Sequence, residues 1–260
     1  MEAQAEKQSF WDHLDELRGV ILRSLGVAIF FGIIAFFFKD TLFRIVFAPK
    51  YDDFVTYRLI DHVCRALGME TLPGFKVDLI NTGLARQFII HLKTAMCAGV
   101  ICASPYILYS IFSFISPALY TREKKYATVM ILSGYVMFML GVAVSYFVVF
   151  PVTFQFLGTY QVDADVTNMI DLDSYMSTMA MMCLCMGIVF ELPVLAWLFA
   201  RLGLLSSSFL KTYRRHAIVV ILIVAAIITP TSDAFTLMLV AVPIWLLYEV
   251  SVLIVGRVES

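Results

Sequence analysis

The sequence predicts an all-α polytopic membrane protein of six transmembrane helices, and three observations carry that prediction. Of the 260 residues, 61% are hydrophobic and only 15% are charged, with a mean hydropathy of +0.87, well outside the composition of soluble domains. Apolar windows approaching the roughly 20 residues needed to cross a bilayer recur six times. No Lys or Arg occurs from position 126 to 200. The 19 Lys+Arg nearly cancel the 20 Asp+Glu, so a bulk attraction to nucleic acid is not expected.

Taken in order, the chain opens on MEAQAEKQSFWDHLDELR, which lacks the basic-then-apolar order of a cleaved signal, so it is expected to keep its start. Within it, 9–19 reads as an amphipathic arm. Ser9 is a plausible N-cap, and Phe10, Leu14, Leu17 and Ile21 recur at helical spacing opposite Asp12, Asp15 and Glu16. Interfacial anchors usually favour Lys and Arg against anionic lipid. An acidic face suits a cationic partner better.

The predicted spans are 20–38, 94–115, 127–150, 176–200, 217–228 and 234–255, in one domain. The fifth is short, because its apolar part rises only about 1.5 Å per residue against a core about 30 Å thick. Pro105, Pro193 and Pro243 fall inside spans, each removing one backbone donor and freeing the carbonyl four residues back. Between the first two spans, 39–87 mixes apolar patches with Pro, Gly and charge, so it reads as a structured cap.

Basic residues give the orientation. Lys7, Arg18 and Arg23 lie before or at the start of the first span, Arg122, Lys124 and Lys125 between the second and third, and Arg201, Lys211, Arg214 and Arg215 between the fourth and fifth. The segments 151–175 and 229–233 hold none, which by the positive-inside rule puts both termini in the cytoplasm and the 39–87 cap outside. Seven basic residues within 39–87 argue the other way, but six acids are spread among them in a long segment. The short connections decide.

Three acids stand out chemically. Glu16 lies in the arm, and Glu123 lies among Arg122, Lys124 and Lys125. Two carboxylates on one membrane face could each receive a guanidinium bidentately. Glu191, in GIVFELPV, is deep in an otherwise uncharged span, where an ionised group costs several kcal/mol unless paired or hydrated. No HExxH, GxSxG or P-loop motif occurs, and His13, His62, His91 and His216 are dispersed. Cysteines at 64, 97, 102, 183 and 185 show no zinc spacing. Neither a catalytic site, a metal nor a cofactor is expected. A small-solute transporter with Glu191 as proton carrier is the rival reading, although no repeat relates the two halves of the chain.

The blocks FWDHLDELR (10–18), SPYILYSIFSFISPALYTREKK (104–125), YFVVFPVTFQFL (146–157), GIVFELPV (187–194), AAIITPTSD (225–233) and AVPIWLLYE (241–249) together resemble the TatC family, the multispanning core of the twin-arginine protein translocase. The resemblance implies a concave, glove-like bundle with short fifth and sixth helices in a bacterial inner membrane. It also implies recognition of twin-arginine signal peptides on folded precursors and recruitment of single-span TatA-type and TatB-type partners, in an oligomeric complex driven by the proton-motive force. Under it, Glu16 and Glu123 receive the two arginines, and Arg18, Pro117, Leu119 and Tyr120 shape that surface. Glu191 faces the concave side, and Thr229, Pro230 and Asp233 form a turn near which partners dock. Pro49 and 151–154 match positions that shape the outer caps. The chain departs from the family pattern at Val20, where a second arginine is common, and at Ser110 and Leu237, where glutamines are common. Arg23 is a candidate substitute for the missing arginine.

Overall fold

The computed structural model describes residues 10–68, 74–75, 77–115, 127–161, 163, 168–229 and 233–259. Arm and first span form one helix, α1 (Phe10–Phe37). After it come α2 (Lys39–Phe47), a 3-10 turn (Ala48–Lys50) and α3 (Val55–Ala66). Gly68 closes α3 with φ +70, a left-handed geometry that residues with a Cβ adopt only with strain.

The remaining elements are α4 (Arg86–Ile115), α5 (Ala127–Val144), a π segment (Ser145–Val149) and α6 (Phe150–Thr159). They are followed by α7 (Leu172–Val189), α8 (Leu192–Arg201), α9 (Ser207–Thr212), α10 (Arg214–Ile228) and α11 (Ala234–Glu259). Two short strands, β1 (Leu79–Ile80) and β2 (Ile170–Asp171), pair in parallel with Leu79 opposite Ile170. They join the segment after α3 to the one before α7.

Among the described residues, five helical stretches are long and apolar enough to cross a membrane: Leu14–Phe37, Arg86–Phe114, Thr128–Thr159, Leu172–Arg201 and Ala234–Glu259. The predicted fifth span is α10, with 15 residues, about 22 Å at 1.5 Å per residue. The shortness implied for the last helix does not hold, because α11 runs 26 residues straight through Pro243. Helix α4 starts eight residues before the expected 94, and the third stretch continues to 159 rather than 150. Charged and polar residues at helix ends still make intrahelical hydrogen bonds, so the apolar window under-reads helix length.

Pro105 and Pro151 each leave a helical carbonyl without its usual donor, and at both a hydroxyl replaces it. Pro105 cannot donate to the Ile101 carbonyl, and the Ser104 hydroxyl donates to it at 2.7 Å. Pro151 deprives the Phe147 carbonyl inside the π segment, and the Thr56 hydroxyl of α3 donates there. Beside them, the Ile45 carbonyl accepts from both the Ala48 N–H that ends α2 and the Tyr146 hydroxyl, the latter at 2.6 Å. The bonds from Thr56 and Tyr146 fasten segment 39–66 onto the third helical stretch, and a buried carbonyl left without a donor costs about 1–3 kcal/mol. The Tyr57 hydroxyl lies within 3.0 Å of both the Pro49 and the Pro151 carbonyls. Burial pushes the pKa of that phenol upward.

The core centres on α7, whose Met176, Met179, Met182 and Met186 pack with Phe150, Phe154, Ile221, Ala225, Val240 and Ile244. Helix α1 lies outside it and packs mainly on α4. Their backbones meet at Gly99, where an added Cβ would stand 2.5 Å from the Ala28 carbonyl oxygen and from the Gly32 nitrogen. Small residues permit such close crossings where the lipid supplies no hydrophobic drive. The large apolar side chains Ile21, Leu22, Leu25, Phe30 and Ile33 cover the remaining surface of α1.

Candidate functional site

Helices α1 and α4 run antiparallel, because Phe36 stacks on His91 at 4.1 Å while Ala28 and Gly32 meet Gly99. Twelve residues back from Ala28 along α1 is Glu16, and twelve on from Gly99 along α4 is Ile111. Equal rise per residue therefore sets Glu16 level with the last turn of α4, just before 116–126. Glu16 is half-buried and Arg18 exposed. Arg23 is exposed, and its Nε–H donates to the Gly19 carbonyl at 3.0 Å on its own helix. Pro117, Leu119, Tyr120, Glu123 and Pro230 lie outside the described residues.

Glu191 occupies the break between α7 and α8. Pro193 removes the donor for the Val189 carbonyl, the helix tightens so that the Glu191 N–H donates to Ile188 at 3.1 Å, and α8 restarts at Leu192. The side chain is 7% exposed, and neither carboxyl oxygen has a hydrogen-bond partner among the described residues. It packs against Gly134 of α5. A Cβ on Gly134 would lie 3.1 Å from Glu191 Oε2 and 3.1 Å from the Phe112 ring. Gly134 is six residues inside Thr128, where the third stretch begins, or about 9 Å by helical rise. Along α5 the acid therefore sits nearer the end that carries the α4–α5 connection, which the α1–α4 register places with the start of α1.

Thr229 and Asp233 have local structural roles. The Thr229 hydroxyl donates to the Ala225 carbonyl at 2.9 Å and ends α10, while Asp233 caps α11 by accepting from the Thr236 N–H at 2.7 Å. Ser110 is buried on α4 and Leu237 half-buried on α11. Sequence reasoning missed Gly134, which gives Glu191 its room, and Tyr57, which ties the two buried prolines together. Neither carries a local signal, since each acts on a residue more than fifty positions away. No cluster of metal-ligating side chains occurs among the described residues.

A family model for Sec-independent protein translocase protein (TatC) matches residues 12–243. The TatC protein of a Blattabacterium from Periplaneta americana is 33% identical over 98% of this chain and 97% of its own length. That of Desulforapulum autotrophicum is 36% identical over 97% of this chain and 86% of its own. A crystal structure described as the twin arginine translocase receptor TatC superposes with a TM-score of 0.77 at 30% identity, covering 95% of this chain and all of that one. Fold and comparisons together define a polytopic membrane component of a protein translocase, whose work is transport. The chain belongs to the TatC family of Sec-independent translocase proteins.

Proposed function

We propose that this chain is the signal-peptide receptor and scaffold of a twin-arginine translocase in a bacterial inner membrane, with both termini in the cytoplasm. The observation that carries the reading is the α1–α4 register, which sets Glu16 level with the turn leading into 116–126, the segment holding Glu123. Two carboxylates brought to one membrane face would receive two guanidinium groups of a folded precursor's signal, each as a bidentate pair. Arg18, Pro117, Leu119 and Tyr120 would shape the surround. Glu191 lies toward the same end, where the apolar stretch following the arginines would enter. TatA-type and TatB-type partners would dock near Thr229, Pro230 and Asp233, forming an oligomeric complex that moves cargo with the proton-motive force.

Arginine's planar fork distinguishes it from lysine at equal charge. In nanodiscs, a twin-arginine peptide should bind at least about tenfold tighter than its twin-lysine counterpart, and Glu16→Ala or Glu123→Ala should each remove that preference. Binding that ignores both acids and the lysine exchange would refute the site and favour the solute-transporter reading. Glu191→Ala separates contact from coupling, since a contact residue changes affinity and a coupling residue changes transport alone.

A further inference from the structure

At the end of α4 opposite Glu16, residues of α2, α4 and the start of α7 line a second site. A cavity of about 550 Å³ is lined by Lys39, Asp40, Phe43, Gln87, His91 and Leu172, among others. His91 is 9% exposed, its ring stacked on Phe36 at 4.1 Å and tilted against Phe43 at 5.4 Å, and its Nε2 has no hydrogen-bond partner among the described residues. A buried polar atom left unpaired costs free energy that a ligand can recover.

Helix α2 adds a second feature to the same wall. Its N-cap is Phe38, which offers no side-chain cap, so the first-turn N–H groups point a partial positive charge outward at Lys39. Lys39 and Asp40 form no ion pair among the described residues. The site lies where two long apolar stretches stop, at Phe37 and Arg86, and Phe37, Phe38 and Phe88 are exposed there. The ends of those stretches place the cavity at the edge of the hydrocarbon core.

The charges select the ligand. A phosphate suits Lys39, the α2 amides, Gln87 and His91, but a purely anionic headgroup would also meet the Asp40 carboxylate. A zwitterion whose ammonium carries N–H donors satisfies both signs. We propose that this cavity binds one glycerophospholipid with a primary-ammonium headgroup, of the phosphatidylethanolamine class, with its phosphate at Lys39 and His91, its ammonium at Asp40 and its acyl chains along Phe43 and Leu172. A trimethylated headgroup keeps the charge but lacks the N–H donors.

The test is lipid titration of the delipidated full chain, read by native mass spectrometry, with phosphatidylethanolamine, phosphatidylcholine and phosphatidylglycerol of identical acyl chains. Wild type should hold the ethanolamine lipid about tenfold tighter than the choline lipid. Asp40→Asn should erase that difference while sparing choline-lipid affinity. His91→Phe, which keeps the stack on Phe36, should weaken both. Equal retention of ethanolamine and choline lipids by wild type, preference for the glycerol lipid, or an ethanolamine preference that survives Asp40→Asn overturns the proposal.

Discussion

Replacing Gly99 with Ala tests whether the contact between α1 and α4 is as close as the structure has it. The new Cβ would stand 2.5 Å from the Ala28 oxygen, 2.5 Å from the Gly32 nitrogen and 2.7 Å from the Gly32 Cα, where contacts normally sit near 3.5 Å. All three obstacles are backbone, so no rotamer can yield and the helices must part by about 1 Å. Overpacking of this kind costs about 1–3 kcal/mol. The upper half of that range applies, because α1 has little other packing and separation loosens the whole seam. Gly26 is the control. A Cβ added there would meet nothing within 4 Å, and Ala favours a helix over Gly by about 1 kcal/mol. Thermal unfolding in detergent can be followed through exposure of the buried Cys183 thiol to a fluorogenic maleimide. At about 2–4 °C per kcal/mol for a chain of this size, Gly99→Ala should lower the midpoint by roughly 4–12 °C. Gly26→Ala should leave it unchanged or raise it. A midpoint for Gly99→Ala within a degree of wild type would refute the close approach.

Two further outcomes are expected. Thr56→Val keeps side-chain shape but strands the Phe147 carbonyl that Pro151 cannot serve, so it should destabilise by about 1–3 kcal/mol, with faster proteolysis within 51–66; Thr56→Ser should restore most of the loss, and equal stability of the Val and Ser variants would show that the hydroxyl is dispensable. Gly134→Ala should be mildly destabilising through its contacts with Glu191 and Phe112, and Glu191→Ala should suppress that cost; a double-mutant cycle giving a coupling below about 0.5 kcal/mol would separate the two residues.

The candidate site was legible in the sequence in unequal parts. Glu191 stands out as an acid in an uncharged run, and its burial follows from that. Its surroundings do not, because Gly134 reaches it from α5, a helix whose rotation no local pattern encodes. Glu16 stands out as an acid on an amphipathic face, but its level relative to the α4–α5 connection depends on Gly32 and Gly99 crossing at one register.

What the sequence by itself determined is the class of architecture, because bilayer thickness converts a run of apolar residues into a helix of known length, and each proline removes a donor wherever it stands. What only the tertiary structure decided is where the replacements come from. Ser104 serves the Ile101 carbonyl from the same turn, but Thr56 reaches Phe147 across about ninety positions of chain. Such pairings, like the stacking of Phe36 on His91 beside an uncapped α2, depend on how whole helices dock. Docking is set by close backbone contacts and shape, which have no period along the chain to reveal them.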